Sequence, residues 1–223
     1  MSRSQSVEDY LKTIYKLEQD TDKGVSTSNL AEGMGVANAS VTNMLKRLSD
    51  MGLVNYESYY GTTLTDAGEK IALEIIRHHR LIELYLKEML GYSWDEVHDE
   101  AEKLEHHISE QFEDKIAEML NNPIVDPHGD PIPTKDGVMP AISSEPLTEL
   151  GIDQECIIIR MKNQDPELLR YLEEQGLIPG VKIKIMKKEP FNGPLQLSIE
   201  NERTTTIGNT IAEDIFVMKK ESS

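Results

Sequence analysis

The sequence predicts a mainly α-helical protein that ends in a small, partly open β-barrel. Up to residue 120, apolar residues recur at helical spacing, for example at Tyr10, Leu11 and Ile14. The stretches "CIIIRM" at 156–161 and "VKIKIMKK" at 181–188 are rich in β-branched residues, and the second alternates apolar with polar residues. Positions 121–145, between these two regions, hold five prolines and little periodicity, which indicates a linker or an ordered loop.

The composition is typical of a soluble globular protein, with 38% hydrophobic and 28% charged residues among 223. No run of about 18 apolar residues predicts a membrane span, and the N-terminus lacks the apolar core of a signal peptide. The one cysteine, Cys156, cannot form an internal disulfide, which favours a reducing, cytoplasmic setting, and we expect it in the core. A net charge of −17 argues against nonspecific nucleic-acid binding and makes a cation an attractive partner.

The first helix is predicted over residues 6–19, with Ser6 as its cap. A pair of helices joined by a tight turn follows. The first helix of the pair opens at Ser26 or Ser28, and it ends before Gly35, which permits a left-handed backbone conformation.

The second helix of the pair is predicted to run from a cap at Asn38 to about Met51. Two strands around Tyr60 and Gly61 then suit a β-hairpin. A helix-turn-helix followed by a hairpin is a winged helix, in which the second helix enters the major groove of DNA.

The residues predicted to face DNA are mostly small and uncharged. Asn43 could pair with adenine, and Lys46 and Arg47 could contact phosphate. The full predicted set is Ala37, Asn38, Ala39, Ser40, Thr42, Asn43, Lys46, Arg47 and Tyr60. A helical hairpin that only packs is the alternative. Residues 1–60 carry six Lys and Arg against eight Asp and Glu, so phosphate contacts should add modest affinity, and a dimer on a palindromic site would double them.

Two longer helices are predicted next. Thr65 caps one that runs to about Leu90. Ser93, with Glu96 three residues later, caps another that extends to about Leu120. A short helix from Pro166 to Gln175 interrupts the β-rich region, in which "LQLSIE" and "IFVMK" complete the predicted strands.

The stretch "VHDEAEKLEHH" at 97–107 predicts a metal site. On one helix, His98, Glu102, Glu105 and His106 fall on a single stripe, beside an apolar stripe of Val97, Ala101, Leu104 and Ile108. The preceding helix carries His79 and Glu83 one turn apart, and two antiparallel helices would bring the two sets together. Carboxylate and imidazole ligands without thiolate suit Mn²⁺ or Fe²⁺, whereas a solvated acidic face is the alternative.

No motif for catalysis is present. The chain has no His-Glu-x-x-His, no Glu-x-x-His pair, no Gly-rich phosphate loop and no Gly-x-Ser-x-Gly. We therefore predict no catalytic residues and no small organic substrate.

The chain resembles the metal-dependent repressors of the diphtheria-toxin-repressor and manganese-transport-regulator family over nearly its whole length. The resemblance rests on "EDYLKTIYKLE", "RHHRLIE", "VHDEAEKLEHH" and "DPHGDPIP". At the C-terminus, "LTELG", "LIPGVKIKI" and "FNGPLQLSI" look like the SH3-like (FeoA-like) domain of longer members. The family resemblance implies three domains. They are a winged helix-turn-helix DNA-binding domain at 1–64, a helical metal-binding and dimerisation domain with the Pro-rich loop at 65–145, and an SH3-like domain at 146–223.

The resemblance also implies a homodimer that binds palindromic operator DNA when Mn²⁺ or Fe²⁺ is present and represses metal-uptake genes. Two or more ions per subunit are expected. The implied first site comprises Asp9, Glu102, Glu105 and His106. The implied second site comprises His79, Glu83 and His98, and His79 could serve either site.

The "DPHGDP" loop offers further ligands by resemblance. Some longer manganese-responsive members use a Cys-Pro-His stretch here, and this chain has Asp126 in place of the cysteine and keeps His128. The two would join Glu83, while a Pro-rich turn that serves only its own backbone is an equal alternative. The SH3-like domain could donate Gln164 or Asp165.

The metal type follows from two positions. Iron-responsive members tend to have Met and Cys where this chain has Asp9 and Glu102, so hard oxygen donors favour Mn²⁺ over Fe²⁺. Lys12 stands where some manganese members place a carboxylate, which argues against a paired-metal site of that type. The remaining alternatives are an iron-dependent repressor, a DNA-binding regulator that ignores metal, and a metal-handling or oxidoreductase bundle.

Overall fold

A computed structural model describes residues 4–19, 21, 23–57 and 60–219. The chain divides into two compact units. The first unit comprises the chain up to His79 together with Lys103–Glu110 and Pro133–Met139, and the second comprises Arg80–Glu102, Gln111–Ile132 and the chain from Pro140 onward.

The first unit is a helical bundle with a small hairpin. Its core includes Leu11 and Ile14 of the first helix, Leu30 of the second, and Val41 and Leu45 of the third. The elements are α1 (Gln5–Glu18), α2 (Thr27–Met34), α3 (Asn38–Asp50), β1 (Val54–Glu57), β2 (Gly61–Leu64) and the first part of α4 (Asp66–Leu90). The antiparallel register from Val54↔Leu64 to Glu57↔Gly61 confirms the predicted hairpin.

The helix-turn-helix is capped largely as predicted. Ser26 Oγ accepts a hydrogen bond from Asn29 N at 3.0 Å, and Gly35 adopts a left-handed φ of 65°. The cap prediction for α3 was wrong by one residue, because Ala37 has the extended backbone of an N-cap and Asn38 is already helical.

The cap prediction for α1 was also wrong. The helix begins at Gln5, after an extended Ser4 whose carbonyl accepts from Val7 N, so Ser6 lies inside the helix. Thr65, in contrast, caps α4 as predicted, because its Oγ1 accepts from Gly68 N at 3.2 Å.

The predicted single helix to Leu120 is two helices, α5 (Val97–Leu104) and α6 (Glu110–Met119). Glu96 Oε2 accepts from Ser93 N at 3.4 Å, as a capping box requires, and also from Ser93 Oγ at 2.7 Å, but regular helix starts only at Val97. Glu105 and His106 lie in the turn after α5, where their tertiary contacts override the helical pattern. The predicted apolar stripe therefore fails beyond Ala101, since Leu104 is exposed.

The second unit contains a six-stranded antiparallel sheet in the order β3-β8-β4-β5-β6-β7. Its core includes Ile158, Leu197 and Val217, together with Trp94 from the segment before α5. The elements are β3 (Glu145–Pro146), a 3-10 helix (Leu147–Glu149), β4 (Glu155–Met161), α7 (Pro166–Gln175), β5 (Lys182–Lys188), β6 (Leu195–Ile199), β7 (Arg203–Ile207), α8 (Asn209–Glu213) and β8 (Ile215–Lys219).

The sheet is open rather than closed into a barrel, since β3 and β7 are its two edges among the described strands. The bounds of α7 match the prediction, whereas β3, β7 and α8 were missed because they are short or, in "RTTTI", largely polar. Cys156 lies in the core as expected, and burial raises the pKa of its thiol to about 12.

The Pro-rich segment is an ordered loop in its first half. Val125 and Pro131 form an isolated bridge, and the loop contacts β4, where Met161 N donates to His128 O at 2.8 Å. Gly129 has a φ of 90°, and a Cβ there would lie 1.8 Å from Ile159 O. The close approach of the two backbones therefore requires glycine.

Within the described residues, no helix combines the length and the apolar character that crossing a bilayer requires.

We predict that Gly129→Ala lowers the free energy of unfolding by more than about 3 kcal/mol, because left-handed strain adds to a backbone collision. The matched control is Gly180→Ala. Its φ is 93°, and no heavy atom lies within 4 Å of the added Cβ, so only the strain of about 1–3 kcal/mol applies. Urea denaturation of both variants measures the difference, and equal losses would contradict the backbone collision.

Candidate metal centre

Among the described residues, the carboxylate and imidazole groups that could bind a metal ion, together with the charged groups that contact them, form two clusters, one in each unit. The first cluster comprises Glu8, Asp9, Lys12, His79, Glu105 and His106. The second cluster comprises Glu83, His98, Glu102, Asp126 and His128.

His106 occupies the centre of the first cluster. Its Nδ1 lies 2.7 Å from Glu8 Oε2, while its Nε2 lies 2.8 Å from Asp9 Oδ1 and 3.1 Å from Glu105 Oε1. The Nε2 atom is buried, and neither of its two contacts has hydrogen-bond geometry. With its proton on Nδ1 and donated to Glu8, the ring presents the Nε2 lone pair to the two carboxylates, which is how metal-ligating histidines are commonly held.

Glu105 is fully buried, and each of its three oxygen atoms has a hydrogen-bond partner. Its Oε2 lies 2.6 Å from His79 Nδ1, its Oε1 lies 2.6 Å from Lys12 Nζ, and its backbone carbonyl lies 3.1 Å from His78 Nδ1. Because a buried carboxylate is costly without partners, these contacts explain why the chain leaves the helical path here.

Asp9 is placed on α1 with its carboxylate facing His106. Burial raises the pKa of Asp9, although His106 and Lys12 pull it down. Ligand atoms of Asp9, Glu105 and His106 lie within 4.8 Å of one another, which is compact enough for one ion. The structure thus brings together three of the four residues predicted for the first site.

Glu102, the fourth residue predicted for that site, belongs to the second unit. Its carboxylate is half exposed, and Oε1 lies 3.8 Å from His98 Nε2. Its role in the first site stays a prediction, as does the role of His79 in the second.

Glu83 is one of two buried carboxylates of the second cluster, with Asp126. Its Oε1 lies 3.1 Å from His98 Nδ1, and its Oε2 lies 3.9 Å from His128 Nδ1. Ligand atoms of Glu83, Asp126 and His128 lie within 4.8 Å of one another, and all three residues are buried.

His128 is oriented by Trp94. Its Nε2 lies 2.8 Å from Trp94 O and its ring stacks on the indole at 5.8 Å, while its buried Nδ1 has no hydrogen-bond partner. With the proton on Nε2, the Nδ1 lone pair faces Glu83. Burial lowers the pKa of His128, which favours the neutral form of the ring that metal binding requires.

The two carboxylate oxygens of Asp126 make different contacts. Oδ1 accepts from the backbone N–H groups of His128 and Asp130 at 2.8 and 2.9 Å, so this atom stabilises the turn, and the ligand role of Asp126 stays a prediction. Oδ2 lies 3.6 Å from Arg80 Nε. Burial raises the pKa of Asp126 well above its ordinary value, with Glu83 and Asp130 adding to the effect, so a cation beside it would be stabilising.

The two further residues considered as ligands have structural contacts. Asp165 Oδ1 caps α7 by accepting from Glu167 N and Leu168 N. Gln164 Nε2 donates to Asp130 Oδ2 at 2.8 Å.

The donor sets fit a hard divalent cation. Each cluster has a buried imidazole nitrogen without a hydrogen-bond partner that faces carboxylate oxygens. The thiol of Cys156 lies in β4 within the core of the sheet. Imidazole and carboxylate without thiolate suit Mn²⁺ or Fe²⁺.

The predicted DNA-facing residues lie at the N-cap of α3, on α3 and in the hairpin. Most of them are exposed, and Tyr60 is 79% exposed. Thr42 is half-buried, and its Oγ1 donates to Asn38 O at 3.0 Å, so its hydroxyl is already used within the helix.

Sequence reasoning missed four residues that shape the clusters: Glu8, His78, Arg80 and Trp94. Glu8 precedes Asp9 and could have been suspected as a carboxylate partner of a ligand histidine. Contacts of His78 and Trp94 go through backbone carbonyls, for which the sequence has no signal.

Three family models match the chain. Residues 3–62 match the iron dependent repressor N-terminal DNA binding domain, residues 65–134 match the iron dependent repressor metal binding and dimerisation domain, and residues 145–219 match the FeoA domain.

Individual proteins match over nearly all or about half of this chain. The iron-dependent repressor IdeR of Mycobacterium tuberculosis is 29% identical over 228 residues, which are 96% of this chain and 97% of IdeR. The HTH-type transcriptional regulator MntR of Lysinibacillus sphaericus is 36% identical over 116 residues, 52% of this chain and 81% of MntR. A solved manganese-dependent transcriptional repressor in complex with manganese is 35% identical, with a TM-score of 0.86 and coverage of 96% of this chain and 100% of that chain.

We predict that Glu8→Ala weakens Mn²⁺ binding at the first cluster by roughly 10–100-fold, because His106 loses the acceptor that orients its ring. Glu8→Gln keeps an acceptor oxygen and should lose less. Isothermal titration calorimetry measures both, with exposed Glu32→Ala as the control. An unchanged affinity in Glu8→Ala would show that His106 is oriented by other contacts.

Proposed function

Since the chain belongs to the family of metal-dependent transcriptional repressors that includes the diphtheria toxin repressor and MntR, we propose that it is a Mn²⁺-activated homodimeric repressor of metal-uptake genes. The family is one of transcriptional repressors rather than enzymes, which leaves the oxidoreductase alternative without support.

The observation that carries the proposal is the placement of Asp9 on the helix that supports the DNA-binding unit. Tyr10, Leu11 and Ile14 pack α1 into the core that also holds α2 and α3, and Glu18 of α1 accepts from Leu64 N of the hairpin. Asp9 faces His106 and Glu105, which lie in the turn after α5. Ligands on both segments make the position of α1 sensitive to a cation at the first cluster.

A bound divalent ion supplies positive charge and ligand bonds to the first cluster. Without compensation, the carboxylates of Glu8, Asp9 and Glu105 repel one another. Their repulsion disfavours the arrangement in which α1 stays against the turn, and a cation favours it. The two DNA-binding units of a dimer would then hold their recognition helices about 34 Å apart, so that both fit successive major grooves.

Mn²⁺ is favoured over Fe²⁺ by Asp9 and Glu102, two hard oxygen donors. We assign Glu102 to the first site with Asp9, Glu105 and His106. The second site is assigned to Glu83, His98, Asp126 and His128, with His79 able to serve either, so two ions bind per subunit. The iron-dependent alternative is favoured by the family models and by IdeR, which are iron-dependent by name.

The match to the FeoA domain over residues 145–219 supports the predicted SH3-like domain. The matches at 3–62 and 65–134 support DNA binding by α3 and the wing, and dimerisation by the helices that follow.

We predict that Asp9→Ala removes Mn²⁺-triggered DNA binding, because α1 loses its ligand to the ion. Palindromic DNA selected from a random pool with the wild-type protein provides the probe, and a gel shift across Mn²⁺ concentrations provides the measurement. We expect the Mn²⁺-dependent gain in DNA affinity, roughly 5–150-fold for typical coupling, to vanish in Asp9→Ala and to persist in the exposed control Asp99→Ala.

Full Mn²⁺ activation of Asp9→Ala would refute the proposed role of Asp9. DNA binding by the wild type that ignores every metal would favour the regulator without metal dependence. Repeating the titration with Fe²⁺ under anaerobic conditions tests the iron-dependent alternative. DNA binding that Fe²⁺ triggers at a lower free concentration than Mn²⁺ would favour that alternative.

We also predict different effects for two residues of α3. Asn43→Ala should cost about 1–3 kcal/mol on one preferred base pair and relax specificity there. Lys46→Ala should weaken binding to all sequences alike and reduce the salt slope by about 1. Sequencing of the DNA that each variant selects from a random pool measures base specificity, and DNA affinities at several salt concentrations measure the salt slope. An equal loss of affinity for all sequences in Asn43→Ala would exclude base readout by Asn43.

A further inference from the structure

Lys12 is a buried cation inside the first cluster. Its side chain is only 6% exposed, and Nζ lies 2.6 Å from Oε1 of the fully buried Glu105. Burying an ammonium group is costly unless it is paired, so this contact is a specified part of the structure. It also joins α1 to the turn after α5, the same two segments that Asp9 and His106 join.

We propose that Lys12 is a tethered counter-ion that competes with the metal for Glu105, so that it sets the metal concentration at which this protein responds. The inference rests on the proposed function, because it assigns Asp9, Glu105 and His106 to a metal site. It adds a residue that determines affinity without being a ligand.

The competition follows from the shared oxygen atom. Glu105 Oε1 accepts from Lys12 Nζ at 2.6 Å and also lies 3.1 Å from His106 Nε2, the nitrogen with the lone pair for a metal. An ion held by His106 and Glu105 would therefore stand next to the ammonium group across a single oxygen. Two cations this close repel strongly in a buried setting, since water does not screen them.

The charges of the first cluster lead to the same conclusion. Glu8, Asp9 and Glu105 contribute three negative charges and Lys12 one positive charge, so these four residues carry −2. One divalent ion neutralises them, and a second would leave +2. With an uncharged residue at position 12, the same carboxylates would carry −3 and attract a divalent ion more strongly.

Lys12 has a second effect, because its ion pair with Glu105 needs no metal. The pair compensates part of the carboxylate repulsion and stabilises the contact between α1 and the turn. Removing the charge should therefore destabilise the protein in chelator while strengthening its response to metal.

The test uses the full chain carrying Glu83→Gln, which weakens the second cluster so that Mn²⁺ binding reports on the first. Lys12→Met removes the charge at similar length, and Lys12→Arg keeps it. Lys16→Met, on the exposed side of α1 one turn later, is the matched control. Mn²⁺ affinity is measured by isothermal titration calorimetry, and thermal unfolding is followed in EDTA and in saturating Mn²⁺.

We expect the Kd for Mn²⁺ to fall by roughly 5–150-fold in Lys12→Met, the usual range of coupling between two sites. Lys12→Arg and Lys16→Met should keep the wild-type Kd within about twofold, well below that range. In EDTA, Lys12→Met should unfold at a lower temperature than Lys16→Met, and its gain in stability from Mn²⁺ should be larger. Should Lys12→Met not fold, Lys12→Gln replaces it with the same expected direction.

An unchanged or weaker Mn²⁺ affinity in the folded, uncharged variant would overturn the role of Lys12 while leaving the proposed function intact. An equal gain in Lys16→Met would also overturn it, because a general charge effect would then suffice. Absence of Mn²⁺ binding in every protein of the series would refute the proposed function and this inference together.

Discussion

The compensation of one buried carboxylate, that of Glu105, is the constraint on which the first unit depends. The group is fully buried, and a negative charge in that position requires partners within hydrogen-bond distance. Lys12 and His79 provide them, and His78 fixes the backbone through the carbonyl. These three residues come from two different helices, so satisfying Glu105 also fixes where α1 and α4 lie in this unit. The resulting arrangement leaves the Nε2 atom of His106 without a hydrogen bond, which is the feature on which the proposed metal site rests.

The second unit applies the same rule at Glu83, with different means. Here the loop around His128 is held by the sheet, because Met161 bonds the His128 carbonyl and Trp94, itself part of the core of the sheet, bonds and stacks on the ring. The imidazole is therefore oriented by residues that have no ligand role. Contacts from the β-sheet therefore help to decide the shape of this cluster, and in metal sites such positioning contacts strongly affect affinity.

In the proposed mechanism, the response to metal depends on the repulsion among the carboxylates of the first cluster and on how much of that repulsion the protein itself compensates. Three carboxylates in the first cluster favour a cation, whereas an ammonium group in the same cluster satisfies part of that demand from within. The free energy that metal binding can add to the docking of α1 is the part that Lys12 leaves uncompensated. A sensor is useful only if it is empty at low metal concentration, and an internal counter-ion is a direct physical way to achieve that.

The sequence by itself determined the helix-turn-helix, the hairpin, the strand-rich C-terminus and which residue types could bind metal, because hydrophobic periodicity and capping are local properties. By resemblance it also predicted Asp9, His106 and His128 as metal ligands, and the structure places a carboxylate group close to each of the two imidazole rings. The break between α5 and α6, the pairing of Lys12 with Glu105 and the orientation of His128 by Trp94 were decided only by the tertiary structure. The local pattern favoured one continuous helix through Glu105. Because the Glu105 carboxylate is buried, its contacts with residues up to 93 positions away stabilise the structure more than another turn of helix would.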